Sequence, residues 1–297
     1  PDVILTIDSP DFCLRVAAIV KARSHLRICH YVAPTVWAWR PERAAKMAAK
    51  VDQVLALFPF EPPYFETVGL RCDFVGHPVS TEEVATDDDV TEFRNAFQIG
   101  DVPLVLVLPG SRKGEVARLS DDFGASLGIF AKSHPHARFV LPMAGPVESL
   151  VRAKIAHWPV QPILISASDK ASKRAAFKAA DIALAASGTV SLELAANQTP
   201  MVIAYKMHWL TQKIVERKLL IDTVTLVNLV SETRVVPEYL AQNCQPNEIA
   251  KALRDVLKTP DAQTTALDLT MQRLGQGGEA PGLRAARAIV DGIASIH

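Results

Sequence analysis

The chain has 297 residues, long for one domain and comfortable for two. Lys plus Arg and Asp plus Glu each total 32, so no whole-chain field draws nucleic acid and no nucleic-acid partner is expected. The 4 cysteines lack C-x-x-C spacing and read as reduced, buried thiols of a cytosolic protein, and no apolar window approaches the roughly 18 residues a membrane span needs.

In chain order, residues 3–7 (V-I-L-T-I) already read as a buried strand. No initiator Met or signal peptide precedes them, so an amino-terminal portion is expected before Pro1. Further strands are predicted at 26–32, 53–58 and 72–75, with helices at 12–23, 41–50 and 62–68. The polar, acidic stretch 80–101, centred on Asp87, Asp88 and Asp89, reads as an inter-domain connection leading into a short helix. Strands then follow at 104–108, 138–142, 162–165, 182–185, 201–204 and 225–229. Helices are predicted at 121–132, 147–156, 171–180, 190–196, 209–219 and 247–257, and a last one at 283–296. Such alternation implies parallel sheets with right-handed crossovers. The expected fold class is α/β, with two Rossmann-like domains facing a cleft, the first lacking its amino-terminal portion. The expected divisions are 1–80, 81–275 and a carboxyl-terminal helix at 276–297 that can pack back on the first.

Residues 104–116, L-V-L-V-L-P-G-S-R-K-G-E-V, carry the strongest chemical signal. Five aliphatics stop at Pro109, and Gly110, Ser111, Arg112 and Glu115 leave the carboxyl end of a buried strand, where open α/β sheets bind ligands. An arginine beside backbone N–H groups suits phosphate, although a single such loop also fits an ordinary turn with a solvated Arg. The partner signal is 181–195, where small aliphatics give way to Ser187, Gly188 and Thr189 and at once to a helix. Small residues let a diphosphate approach the backbone, and Glu193, one turn in, suits ribose hydroxyls; Ser and Thr are also ordinary N-caps. Gly145 follows a third strand at the same edge. Asn228, near the end of the predicted strand 225–229, is either a satisfied core amide or a ligand contact, the latter preferred.

In the first half, Asp8 and Asp11 follow a buried strand, where a carboxylate can take a proton from a hydroxyl nucleophile. Asp11 also suits the opening of a helix, so Asp8 is the preferred base. Residues 31–40, Y-V-A-P-T-V-W-A-W-R, supply Trp37, Trp39 and Arg40. Aromatics at i and i+2 cannot share one helix face, so at least one is expected to meet a ligand, lipid or the other domain. His77, at a strand end beside the expected hinge, is a further ligand candidate. Asp87, Asp88 and Asp89 read as solvated rather than metal-binding. No H-E-x-x-H, Walker A or G-x-G-x-x-G motif supports zinc protease, P-loop or dinucleotide-oxidoreductase chemistry.

Together these stretches resemble the lipid-A-disaccharide synthase family, glycosyltransferases of the GT-B type. The matching residues are I-D-S-P-D-F (7–12), H-Y-V-A-P-T-V-W-A-W-R (30–40) and F-V-G-H-P (74–78) in the first half. In the second they are L-P-G-S-R-K-G-E (108–115), A-S-G-T-V-S-L-E (186–193), P-M-V-I-A-Y (200–205) and Asn228 with Leu229. The resemblance runs over nearly the whole chain.

It implies an inverting transfer of 2,3-diacylglucosamine from UDP (UDP-2,3-diacylglucosamine as donor) to 2,3-diacylglucosamine 1-phosphate, giving the β-1,6-linked lipid A disaccharide phosphate and UDP. By that resemblance, 1–80 is the acceptor side and 81–275 binds the UDP-sugar. Arg112 and the 187–189 turn would neutralise the diphosphate, with Gly110, Ser111, Glu115 and Gly145 in the same site. Glu193 and Asn228 would lie on the nucleoside side, and Asp8 or Asp11 would be the base. Charge stabilisation of this kind needs no metal, and no cofactor is implied. The family's Gly-Glu-x-Ser-Gly-Asp segment falls before Pro1 and is not carried over.

Two-chain lipid substrates imply a membrane surface as partner, since each buried CH₂ is worth about 0.8 kcal/mol. Trp37, Trp39 and the apolar-basic stretch 207–220, which also reads as a plain amphipathic core helix, are the docking candidates. The expected location is cytoplasmic, peripheral on the inner face of the inner membrane, and a homodimer is admitted. The rival readings are another GT-B enzyme, such as a UDP-sugar epimerase, and a non-catalytic nucleotide-sugar-binding protein. Lipid dependence of turnover separates the first of these.

Overall fold

The computed structural model describes residues 1–206 and 219–294. The helix expected at 209–219 and the stretch 207–220 lie, but for their last residues, outside them. The described residues form two compact units. The first takes those of Pro1–Glu82, Lys213–Asp222 and Met271–His297; the second takes those of Glu83–Gln212 and Thr223–Thr270.

In the first unit β1 (Val3–Ile7), β2 (Arg27–Tyr31), β3 (Gln53–Ala56) and β4 (Arg71–Phe74) form a four-stranded parallel sheet in that order. Helices α1 (Pro10–Lys21), α2 (Val36–Trp39), α3 (Glu42–Ala48) and α4 (Pro62–Glu66) connect them. Val54 and Ala56 of the wholly buried β3 join Ile28, Met47 and Phe65 in one apolar core. Strand β3 ends two residues earlier than predicted. Leu57 and Phe58 turn because their N–H groups donate to the Glu61 carboxylate, both at 3.0 Å.

The second unit is built on a six-stranded sheet. In sequence its elements are α5 (Asp87–Ala96), β5 (Leu104–Leu108), α6 (Lys113–Ser133), β6 (Arg138–Pro142), α7 (Glu148–Ile155), β7 (Ile163–Ile165), α8 (Lys170–Ala179), β8 (Ile182–Ala186), α9 (Val190–Ala196) and β9 (Met201–Tyr205). After the undescribed stretch come α10 (Leu226–Ser231), β10 (Glu238–Leu240), α11 (Pro246–Lys258) and α12 (Asp261–Arg273), which runs from this unit into the first at Met271. The strand order is β10-β9-β8-β5-β6-β7, with every pairing parallel. Helix α6 lays Val116, Leu119, Phe123, Leu127 and Phe130, spaced by three or four residues, into the main core. Burying each such side chain favours folding by roughly 1.5–3 kcal/mol.

The acidic run 87–89 opens α5. Asp89 N–H donates to Thr86 Oγ1 at 3.1 Å while Asp89 Oδ2 accepts from Thr86 N–H at 2.8 Å, a reciprocal cap at the positive end of the helix. The last helix, α13 (Pro281–Ala294), belongs to the first unit. Gln53 Nε2 donates to Ala288 O at 2.9 Å, and Arg284 Nη2 donates to Phe74 O at 2.8 Å while its guanidinium lies over the Phe74 ring.

Other elements also differ from the sequence expectation. Residues 225–229 are not a strand: they open the helix α10, because the Glu238 carboxylate accepts from Val224 N–H (3.2 Å) and Thr225 N–H (2.9 Å) and caps its start. Strand β10 was not foreseen. Nor was α12, whose pattern is only weakly amphipathic; its buried Gln263 donates to Met201 O and accepts from Met201 N–H, closing the start of β9. Helix α6 begins at Lys113, eight residues before the predicted 121, since Glu115 caps it despite the interrupting Gly114.

Candidate functional site

The order β8-β5-β6 puts a topological switch between β5 and β8: from β5 the chain winds outward through β6 and β7, then returns to the other side. Ligands of open α/β sheets bind at such points, outside the carboxyl ends of the strands. A cavity of about 520 Å³ lies there. It brings together Gly110, Ser111, Arg112 and Glu115 from the β5 turn, Gly145 from the β6 turn, and Ser187, Gly188, Thr189 and Glu193 after β8. Each of those predicted residues therefore reaches one pocket.

The two turns differ in what they leave open. At the β5 turn Glu115 folds back, its Oε2 accepting from Ser111 N–H (3.2 Å) and Arg112 N–H (3.3 Å) and its Oε1 from Arg112 Nη1 (2.9 Å). Those backbone donors, expected to face a phosphate, are thus filled by the chain's own carboxylate. Gly110 is required beneath it, since a Cβ there would stand 2.7 Å from Glu115 Oε2 and φ is +119°. The Arg112 side chain stays 82% exposed, so its outer N–H groups face solvent. At the β8 turn, by contrast, Thr189 makes no side-chain cap, and a Cβ on Gly188 would meet nothing within 4 Å among the described residues. That turn is open for a ligand.

Sequence reasoning missed Lys173, Phe177 and Met143, which line the same pocket. Lys173 Nζ donates to Glu193 Oε2 at 3.1 Å and sits 5.2 Å from the Phe177 ring centroid. No local motif marks them: a lysine and a phenylalanine on α8 read as ordinary helix residues until the fold brings them to the β8 turn.

Asn228 requires correction. It lies inside α10, 1% exposed, away from the pocket lining. Its Nδ2 donates to Val236 O (3.0 Å), Thr223 Oγ1 and Glu238 Oε1 (both 3.3 Å), while its Oδ1 accepts from Val236 N–H (3.1 Å). The amide is consumed internally because a buried polar group must be paired. Asn228→Ala is expected to lower stability by about 2–4 kcal/mol, read by denaturant unfolding, and to leave UDP affinity of the folded fraction unchanged.

In the first unit Asp8 is exposed just past β1, and its N–H donates to Tyr31 O at 2.9 Å. Asp8 and Ser9 are both left-handed, φ 50° and 44°, a strained pair for non-glycine residues. His30 is fully buried, its Nδ1 2.8 Å from Thr6 Oγ1; burial lowers its pKa while the Asp8 charge works against that. Asp11 sits in the first turn of α1 and pairs with Arg43 at 2.7 Å.

Trp37 is buried, which removes it as a lipid contact. Its Nε1 donates to Glu61 Oε1 at 3.1 Å, and its ring meets Phe60 edge-on. Burial raises the Glu61 carboxyl to about 7 against the pull of those donors. Trp39 is half-buried with the Arg40 guanidinium 3.8 Å from its ring centroid. His77 accepts from Val79 N–H at 3.1 Å, and burial drops its pKa to about 4, so it is neutral at pH 7.

The fold class is that of two-domain GT-B enzymes. A UDP-GlcNAc 2-epimerase from Neisseria meningitidis, solved with UDP-GlcNAc, superposes with a TM-score of 0.64 at 15% identity, covering 97% of this chain and 76% of that one. At that identity the likeness is one of fold. The family is narrower: residues 1–286 match the lipid-A-disaccharide synthetase model, and the chain belongs to that family. A lipid-A-disaccharide synthase of Ruegeria pomeroyi is 59% identical over 98% of this chain and 74% of its own length. One of Rhodospirillum centenum is 44% identical over 98% and 73%.

Proposed function

We propose that the chain moves 2,3-diacylglucosamine from UDP to 2,3-diacylglucosamine 1-phosphate with inversion, releasing UDP and the β-1,6-linked lipid A disaccharide phosphate. The observation that carries this reading is the switch-point pocket, whose two strand-end turns hold the L-P-G-S-R and S-G-T segments. UDP occupies the pocket. The open 187–189 turn and the outer edge of Arg112 take the diphosphate, and Glu193 takes the ribose. Met143 and Phe177 supply an apolar wall for the base.

Asp8 accepts the proton of the acceptor 6-hydroxyl as its oxygen bonds to the anomeric carbon. The bond from that carbon to the diphosphate breaks, and the electron pair leaves on UDP. Donors preorganised at the diphosphate stabilise that charge in the transition state. Among the described residues no helix is long and apolar enough to cross a membrane. The two-chain substrates therefore call for a peripheral position on the inner face of the inner membrane, with Trp39 and the stretch 207–220 as the contact.

The test is an assay with UDP-2,3-diacylglucosamine and 2,3-diacylglucosamine 1-phosphate in mixed detergent micelles. UDP release is expected only when both lipids are present. Turnover of a soluble UDP-sugar without a diacylated acceptor would overturn the reading in favour of an epimerase-like activity.

A further inference from the structure

We infer that Lys173 is a positioning residue: from α8 it aims the Glu193 carboxylate at the ribose hydroxyls and so gives the pocket its preference for a ribonucleotide. The inference rests on the reading that this pocket holds a nucleoside diphosphate.

It starts from two side chains on different helices that meet only in the folded pocket. Lys173 Nζ donates to Glu193 Oε2 at 3.1 Å, and both line the cavity beside the 187–189 turn. The side chains are 48% and 34% exposed, so the pair contributes little to stability. What it supplies is orientation. The ammonium is held in turn by the Phe177 ring, one helical turn along α8, with Nζ 5.2 Å from the centroid. Glu193 Oε1 accepts no hydrogen bond among the described residues and is left to a ligand.

An ionised carboxylate offers only acceptors, and a ribose presents adjacent 2′- and 3′-hydroxyl donors. A carboxylate swinging through its rotamers must be ordered when the sugar binds. One tethered by an ammonium on its other oxygen is ordered beforehand, and less is lost on binding. Arg112, the other cation among the described lining residues, pairs with Glu115 and makes no hydrogen bond to Glu193 among them.

The test is calorimetric titration of the wild-type chain, Lys173→Met and Lys173→Arg with UDP and with 2′-deoxy-UDP. The wild type is expected to prefer UDP by about tenfold, the worth of a hydrogen bond to a charged group. Losing a positive charge lowers both affinities in Lys173→Met, so the positioning role is read in their ratio. That ratio is expected to narrow to about twofold in Lys173→Met and to be retained in Lys173→Arg. An unchanged ratio in Lys173→Met, however large the common loss, assigns Lys173 to the phosphates and overturns the inference. A wild-type chain that binds neither nucleotide overturns the assignment of the pocket itself, a distinguishable failure.

Discussion

Asp8→Asn is expected to lower turnover by about 100- to 10,000-fold, the usual worth of a positioned general base, while leaving UDP affinity unchanged. The variant keeps the size of the side chain and removes its charge and its ability to take a proton. Asparagine also tolerates the left-handed backbone at this position, so the β1–α1 turn should survive the exchange. Asp11 is the control. It is held in an ion pair with Arg43 and favours the amino terminus of α1, roles that concern the helix rather than the reaction. Asp11→Asn is expected to retain most activity. Single-turnover rates of the two variants decide the matter: an inactive Asp11→Asn beside an active Asp8→Asn would move the base to Asp11.

Arg112→Ala is expected to weaken UDP binding by about 10- to 100-fold, corresponding to about 1.5–3 kcal/mol for hydrogen bonds between charged partners. The guanidinium spends one nitrogen on Glu115 and presents the rest to the pocket mouth. Its loss leaves the turn intact, because the Glu115 carboxylate still accepts from the Ser111 and Arg112 N–H groups. The effect should therefore be confined to the ligand. Calorimetry with UDP and with UMP separates the contributions: the loss should be larger for the diphosphate. Unchanged UDP affinity would assign the diphosphate wholly to the 187–189 turn.

The parts of this molecule that sequence reveals are those whose signal is local. The aliphatic runs at 104–108 and 182–185 read as strands buried on both faces, which puts the polar residues that end them at the same sheet edge. Arg112 and Ser187 accordingly line one pocket. The run T-L-V-N-L-V at 225–230 shows the limit: aliphatic content is shared by strands and short buried helices, and a carboxylate ten residues beyond Asn228, Glu238, decided between them. Lys173 was invisible for a similar reason, since its partner lies on the next helix. Trp37 was half legible. Its i, i+2 spacing from Trp39 correctly separates the two rings, but only the fold shows that Glu61 draws Trp37 inward.

The internal pairing of Arg112 with Glu115 and of Lys173 with Glu193 has a kinetic consequence. These are the charged side chains among the described residues lining the pocket, two of each sign, so together they carry no net charge. The long-range pull of these four groups on an approaching dianion largely cancels, and individual N–H groups act over the last few ångströms. Through these four groups, ionic strength has little hold on the encounter. For the donor proposed above, whose acyl chains would tie it to a bilayer, arrival would be set by movement along the lipid surface, and a long-range field would add little.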